Sequence, residues 1–256
     1  MLKKDSEYQF GKLLTDSSGD EGIGEGRLTK NDLNVFQEVV KTQFINVLTN
    51  YDKTLINSDL SIDKYHETKI AKSKIHDEIW TLSNRHISKE LVSKLMSTRF
   101  FIALSEQLDW FEILDGTNIG HPDISFRICR PIPFLDGAPL HRDSWFFHPK
   151  NSLSMPTKHF KIKRVKVWIS LHNDKNTGLR YVKGSHTQKY DYSYEKRNGF
   201  FKGNFDESRY KLKIDKLIGE CGTFVVFNDE LLHGGFSTKK NTRISAEFTL
   251  AVRSKG

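Results

Sequence analysis

The chain has 256 residues, with 40 Lys+Arg against 32 Asp+Glu, a formal net charge of +8, and only two cysteines, Cys129 and Cys221. That length suits one large domain able to bury a full core without staples. The cysteine count excludes a disulfide framework or zinc knuckle and points to a reducing cytoplasm, while no apolar run approaches the ~18–20 residues of a membrane span.

Residues 1–26 are polar and run into the glycine-rich SSGDEGIGEG, which predicts a flexible N-terminal segment. Its first residues, MLKKDSEYQF, lack the apolar core of a secretory signal. The rest, 27–256, reads as a single domain whose first part, 27–122, is mainly helical. Thr29 with Asp32 three positions on resembles a helix start, and Leu33, Phe36, Val39, Val40, Phe44 and Val47 follow at near-helical spacing. Further helical patterns run from Ile62 to Leu82 and from Lys89 to Leu108. Near Asp123 the character changes. ISFRICRPIPF is β-branched and aromatic and is stopped by Pro131 and Pro133. Later strand candidates are Val165–Leu171, Leu179–Val182, Gly222–Phe227 and Arg243–Val252, separated by turn clusters such as NDKNTG and NDELLHGG. The expected fold is therefore mainly β over 123–256 with a helical buttress, a sandwich or barrel. The charged and aromatic stretch at about 189–216 reads as a lid-like insertion.

The chemistry gathers in a few positions. In LHRDSW, His141 and Asp143 stand two apart, so on a β-strand they share a face, with Arg142 pointing away and Trp145 on the metal-facing side if the strand continues. His233 follows the apolar strand GTFVVF, and Arg243 and Ser245 follow in NTRISAEFTL. Two histidines and one carboxylate on one face of a metal leave three coordination positions open, the facial triad of non-haem Fe(II) oxygenases. The open positions accept a bidentate 2-oxo acid and dioxygen. Arg243 stands where the far carboxylate of 2-oxoglutarate needs a bidentate cation, and Ser245 on the same face adds a hydroxyl.

The segments LHRDSW, VWISLHNDKNTGLRYVKGSH, GTFVVFNDELLHGG and NTRISAEFTL together resemble the phytanoyl-CoA dioxygenase-like family of Fe(II)/2-oxoglutarate-dependent oxygenases. The likeness covers roughly Ser125 to Val252 apart from two loop insertions. It implies a double-stranded β-helix (jelly-roll) core and an Fe(II)/2-oxoglutarate-dependent dioxygenase that hydroxylates its substrate. It also implies His141, Asp143 and His233 as iron ligands and Arg243 as the 2-oxoglutarate anchor. Trp168 stands where the family often has a tryptophan bordering the co-substrate; a buried structural tryptophan is the alternative. A related halogenase would have a small residue in place of Asp143, so the carboxylate favours hydroxylation. Three departures stand out: Lys183 replaces the proline of the usual P-G-S-H, Gly235 replaces a frequent serine, and the stretch from His148 to Arg164 is longer than usual. None removes a ligand, but together they bar transfer of the family's substrate.

Other residues have two readings. Arg127 shares a strand face with Ser125 and Cys129; it either contacts 2-oxoglutarate or an acidic substrate, or is a salt-bridged structural arginine. His186 reads as tying a turn to the core, and His148, His159 and His172 as spare ligands or substrate contacts beside the plainer structural or surface reading. His121 and Asp123 form a second H-x-D, but Pro122 argues against a metal-facing strand. Cys221 has no base at nucleophile spacing.

The expected partners are a small-molecule substrate and dioxygen, with no membrane. Net charge, Arg180, Lys183 and the Lys189–Lys216 loop suggest an anionic or carrier-linked substrate. One rival is a non-catalytic jelly-roll binding module. Another is a nucleic-acid dealkylase of the same chemistry, which typically has a second arginine six residues after the clamp, where this chain has Thr249. The basic residues are scattered, mostly lysine, and read as a solvated surface. A metal hydrolase or cupin-type isomerase would have no need of Arg243.

Overall fold

A computed structural model of the chain describes residues 8–56, 60–131, 136–146, 162–173, 178–197, 200–236 and 240–254. The first long helix starts as its sequence suggests. In α2 (Lys30–Tyr51) the Thr29 hydroxyl accepts from the Asp32 N–H at 3.0 Å, and Phe36, Val39, Val40, Phe44, Val47 and Leu48 form the buried stripe. Asp32 does a second task. Its buried carboxylate accepts from the backbone N–H groups of Arg99 and Phe100 at 3.0 and 2.9 Å. This breaks the pattern expected to run unbroken from Lys89 to Leu108 into α4 (Lys89–Met96) and α5 (Arg99–Gln107), with Thr98 extended between them. An acceptor from another helix has capped a new N-terminus.

The Ile62–Leu82 pattern yields less helix than its spacing predicts. Only a 3-10 turn at Tyr65–Glu67 and the short α3 (Ile75–Ile79) form. Between them Thr68 and Ser73 bond to nearby backbone groups and compete with the helical ladder. Ile62, Tyr65, Ile70, Ala71 and Ile79 are buried all the same. Residues 8–27 take defined structure rather than the expected flexible one. They form α1 (Phe10–Asp16), with Phe10, Leu13 and Leu14 buried, and β1 (Ile23–Arg27). That strand is added to a sheet formed far along the chain, a pairing that local composition does not reveal.

The other strands are β2 (Leu108–Ile113), β3 (Ser125–Cys129), β4 (Lys163–His172), β5 (Gly178–Tyr181), β6 (Ser193–Arg197), β7 (Phe200–Asn204), β8 (Asp215–Ile218), β9 (Thr223–Asn228), β10 (His233–Phe236) and β11 (Arg243–Ser254). The large antiparallel sheet runs β1-β9-β4-β11-β2, with β3 also on β11; the small one runs β10-β5-β8. His141 adds a bridge to His233 at the edge of the small sheet. Along the chain, β3, the His141 bridge, β4, β5, β8, β9, β10 and β11 thus pass to and fro between two facing sheets, which is the winding of a double-stranded β-helix, or jelly roll. The helices cover the outer face of the large sheet. Val165, Val167, Ile169, Phe224, Ile244, Ala246, Phe248 and Leu250 join the helical residues in one apolar cluster. Among the described residues no helix is long and apolar enough to cross a membrane.

Candidate active site

Strand alternation gives the large sheet a second, chemical face. On β4, Lys166, Trp168 and Ser170 alternate with the core residues; on β11, Arg243, Ser245, Glu247 and Thr249 do so, and β3 contributes Arg127 and Cys129. These side chains point into the space between the sheets.

His141, Asp143 and His233 meet there. One ligand atom from each lies within 4.8 Å of the others, close enough for the three to share a metal ion. Asp143 Oδ1 is 3.8 Å from Nε2 of both His141 and His233. Donors about 2.1 Å from a shared ion lie roughly 3–4 Å apart, so small adjustments close the set. The local geometry differs from the expected strand. His141 is a single β-bridge and Asp143 opens a 3-10 turn, Asp143–Phe146, that swings the carboxylate back towards both imidazoles. The same turn carries Trp145 away from the site, contrary to the metal-facing expectation. Trp145 is buried and stacked on Tyr192 with ring centroids 4.3 Å apart. Arg142 points away as expected, donating to the carbonyls of Ser185 and Gln188.

Both histidines are held in the same way. His141 Nδ1 lies 2.8 Å from the Pro139 carbonyl and His233 Nδ1 lies 2.9 Å from that of Leu231. Against a carbonyl Nδ1–H must donate, which leaves each Nε2 with a lone pair facing Asp143. Burial, then the neighbouring His233, pushes His141 down to about 3, and burial lowers His233 as well, so both rings are neutral. Burial works to raise the Asp143 carboxyl, but positive charge nearby, Lys166 first, holds it below its ordinary value. Asp143 Oδ2 is buried without a hydrogen-bond partner.

Arg243 and Ser245 are buried on the adjoining strand. Arg243 Nη1 donates to the Gly178 carbonyl at 2.8 Å, Nη2 contacts Cys129 Sγ, and the guanidinium lies over the Trp168 ring at 5.8 Å. Arg243 Nε and Ser245 Oγ are buried without partners. Two orphaned donors beside a permanent cation suit a carboxylate guest. Gly235 has a reason too: a Cβ there would stand 2.9 Å from Arg243 Nη2. Trp168 is buried with Leu179, Val225, Phe227 and Leu231, packed against the arginine.

Arg127 pairs with Glu247 at 2.6 Å. The Glu247 charge raises Arg127 further; burial works to raise Glu247, but Arg127 and Lys166 drive it well below its ordinary value. Arg127 is thus salt-bridged on the inner face. The missed residues are Glu247 and Lys166, whose Nζ lies 3.8 Å from Asp143 Oδ2. Their signal was the period-two alternation on strands already recognised.

The cations expected to meet an anionic substrate are engaged elsewhere. Arg180 is held by Glu207 at 2.8 and 3.0 Å, and Lys183 pairs with Glu21 at 2.6 Å on the surface. His172 sits on β4 near Asp63, and His186 lies against Gly22. Asp123 of the second H-x-D binds His86 at 2.7 Å and Thr117 at 2.8 Å instead of joining His121. His148 and His159 lie outside the described residues.

The stretch at about 189–216 forms the β6–β7 hairpin, a 3-10 turn at Glu207–Arg209 and the start of β8. Phe205, Tyr190, Tyr210 and Leu212 pack with Leu140, Trp145, Val182 and Leu232. Glu207 Oε1 also accepts from the Leu140 N–H at 3.0 Å. The insertion is therefore fastened to the segment that carries His141.

The phytanoyl-CoA dioxygenase family matches residues 64–244. No curated protein matches the chain by sequence. Among solved structures, EctD from S. alaskensis with 2-oxoglutarate and 5-hydroxyectoine shares 15% identity at a TM-score of 0.51, over 98% of this chain and 79% of that one. EvdO2 from Micromonospora carbonacea var. aurantiaca shares 12% at 0.52, over 96% and 92%. ThoJ, described as a non-heme monooxygenase in its apo form, shares 12% at 0.52, over 94% and 77%.

Proposed function

Because the chain belongs to the phytanoyl-CoA dioxygenase family, we propose that it is an Fe(II)- and 2-oxoglutarate-dependent dioxygenase that hydroxylates a small molecule. The observation that carries this reading is the His141–Asp143–His233 cluster, two neutral imidazoles and one carboxylate with their ligand atoms turned inward. In the proposal these three hold the iron, and Arg243, Ser245, Trp168 and Arg127 frame the co-substrate.

Each residue has a task set by its surroundings. The carbonyls of Pro139 and Leu231 lock the imidazoles so that Nε2 stays unprotonated. Asp143 supplies the anionic ligand. Arg243 Nε and Ser245 Oγ offer buried hydrogen bonds to the distal carboxylate of 2-oxoglutarate, where neither competes with solvent. Trp168 holds the guanidinium flat and, with Val225 and Phe227, keeps water from the chamber. Bound iron and 2-oxoglutarate supply the oxidative chemistry, in which dioxygen yields succinate, carbon dioxide and a hydroxylated product. A non-catalytic binding module has no use for a ligand set and a separate anion clamp side by side.

The test is direct. The anaerobic protein should bind one Fe(II), and adding 2-oxoglutarate and then oxygen should release succinate. His141→Ala should lose the iron. Arg243→Ala should keep the iron and lose co-substrate uptake. A wild type that takes up no iron refutes the assignment, and uptake of 2-oxoglutarate unaffected by Arg243→Ala refutes the clamp.

A further inference from the structure

We infer, on the iron and 2-oxoglutarate reading above, that Lys166 is a positioning residue. It holds Oδ2 of Asp143 away from the metal, so that this ligand engages the ion through Oδ1 alone.

The two oxygens of Asp143 face different ways. Oδ1 is turned to the ligand nitrogens, 3.8 Å from Nε2 of both His141 and His233. Oδ2 is turned to Lys166, whose Nζ lies 3.8 Å from it. Among the described residues this buried Oδ2 accepts no hydrogen bond. An oxygen that carries part of a buried charge needs a cation or a donor nearby. Once the site is loaded, two cations compete for it: the ammonium and the metal.

The scaffold favours the ammonium. β4 is paired on both sides, with Phe227 of β9 and Thr249 of β11 opposite Lys166, so the root of that side chain is fixed. Asp143 stands instead on a short 3-10 turn, and the contact ties this turn to the sheet. Burial works against the charge of Lys166, but Asp143 first, and then Glu247, raise it above its ordinary value. The other acids around the ammonium have closer partners. Glu247 is bound by Arg127 at 2.6 Å, and Asp123 lies 2.7 Å from His86 and accepts from Thr117 at 2.8 Å. Oδ2 of Asp143 has Lys166.

The consequence is a matter of coordination positions. An octahedral ion with three protein donors keeps three positions open. A bidentate 2-oxo acid takes two of them and leaves one for dioxygen. A carboxylate can also bind through both of its oxygens, and an Asp143 that did so would close the last position. Lys166 keeps it open without touching the metal.

Mn(II) in place of iron is the probe, with the waters on the ion counted by water-proton relaxation. Mn(II) uptake, and its loss in His141→Ala, are read first, so failure there sinks the enzyme reading and not this one. The wild type should carry about three exchangeable waters and Lys166→Met about two, falling to about one and about none when 2-oxoglutarate is added. Lys166→Arg, which keeps the charge, should restore the missing water. A lysine kept only to balance Glu247 and Asp123 would leave the count unchanged in Lys166→Met, and that result overturns the proposal. Where Lys166→Met does not fold, the wild type decides. With its lysine side-chain nitrogens isotopically labelled, electron–nuclear double resonance of the Mn(II) protein should show a weakly coupled nitrogen that is missing in Lys166→Arg. No such coupling in the wild type would place the ammonium away from the loaded Asp143 and overturn the proposal equally.

Discussion

The two faces of β4 and β11 are made by alternate residues of the same strands, yet they do different work. Towards the helices stand Val165, Val167, Ile169, Ile244, Ala246, Phe248 and Leu250; towards the small sheet stand Lys166, Trp168, Ser170, Arg243, Ser245 and Glu247. The first face earns its stability from apolar area removed from water. The second buries charge and leaves Ser245 Oγ, Arg243 Nε and Asp143 Oδ2 without partners, which costs stability unless a ligand fills the chamber. A single strand thus holds a rigid wall and a reactive one back to back, and a one-residue slip would exchange them.

Substitutions can separate the faces. The largest effect should come from the apolar one: Phe248→Ala empties a fully buried site among Phe100 and Phe101. It should lower unfolding free energy by about 3–5 kcal/mol in urea titrations, while the protein that remains folded takes up iron normally. On the opposite face, Asp143→Ala should weaken iron binding by more than about 100-fold, beyond what outer-shell changes usually cost, and leave the urea transition of the metal-free protein in place. If the two variants fail in the same assay, the division between the faces is wrong.

A smaller effect probes the helical side. The Tyr65 hydroxyl accepts from Trp80 Nε1 at 2.9 Å and lies 3.0 Å from His76 Nδ1. Burial, reinforced by Arg130, lowers His76 to about 4. The unfolded chain takes up this proton from about pH 6.5 and the folded one only near 4, so stability is complete above 6.5 and falls with acid. Between pH 6.5 and 5 the share of His76 in the loss should be about 2 kcal/mol, and His76→Gln should remove that share and leave the part due to His141 and His233. Smallest is Gly235→Ser. Its Cβ displaces the end of the Arg243 side chain rather than backbone, so KM for 2-oxoglutarate should rise about tenfold with little change in the unfolding midpoint.

The sequence made the inner strands legible because their alternation and their turns are local. It also pointed to His141, Asp143 and His233, which the structure brings together, although by way of a strand at His141 that proved to be a bridge and a turn. What it concealed was tertiary. Nothing near Thr98 announces that Asp32, far earlier in the chain, will grip the next two N–H groups and start a new helix. Nor does the glycine-rich stretch before Arg27 show that β9 waits to pair with it. Arg180 and Lys183 looked free because Glu207 and Glu21 are remote in sequence, and Lys166 passed as one basic residue among many.

Glu207 bears on how such a scaffold diversifies. Its carboxylate binds Arg180 on β5, the strand alongside His233, and also the backbone just before His141. A foreign loop grafted over residues 189–216 without an acid at that point would orphan a half-buried guanidinium and an amide next to both histidines. Any exchange of this insertion has to keep its root, where Glu207 joins the two segments that carry His141 and His233.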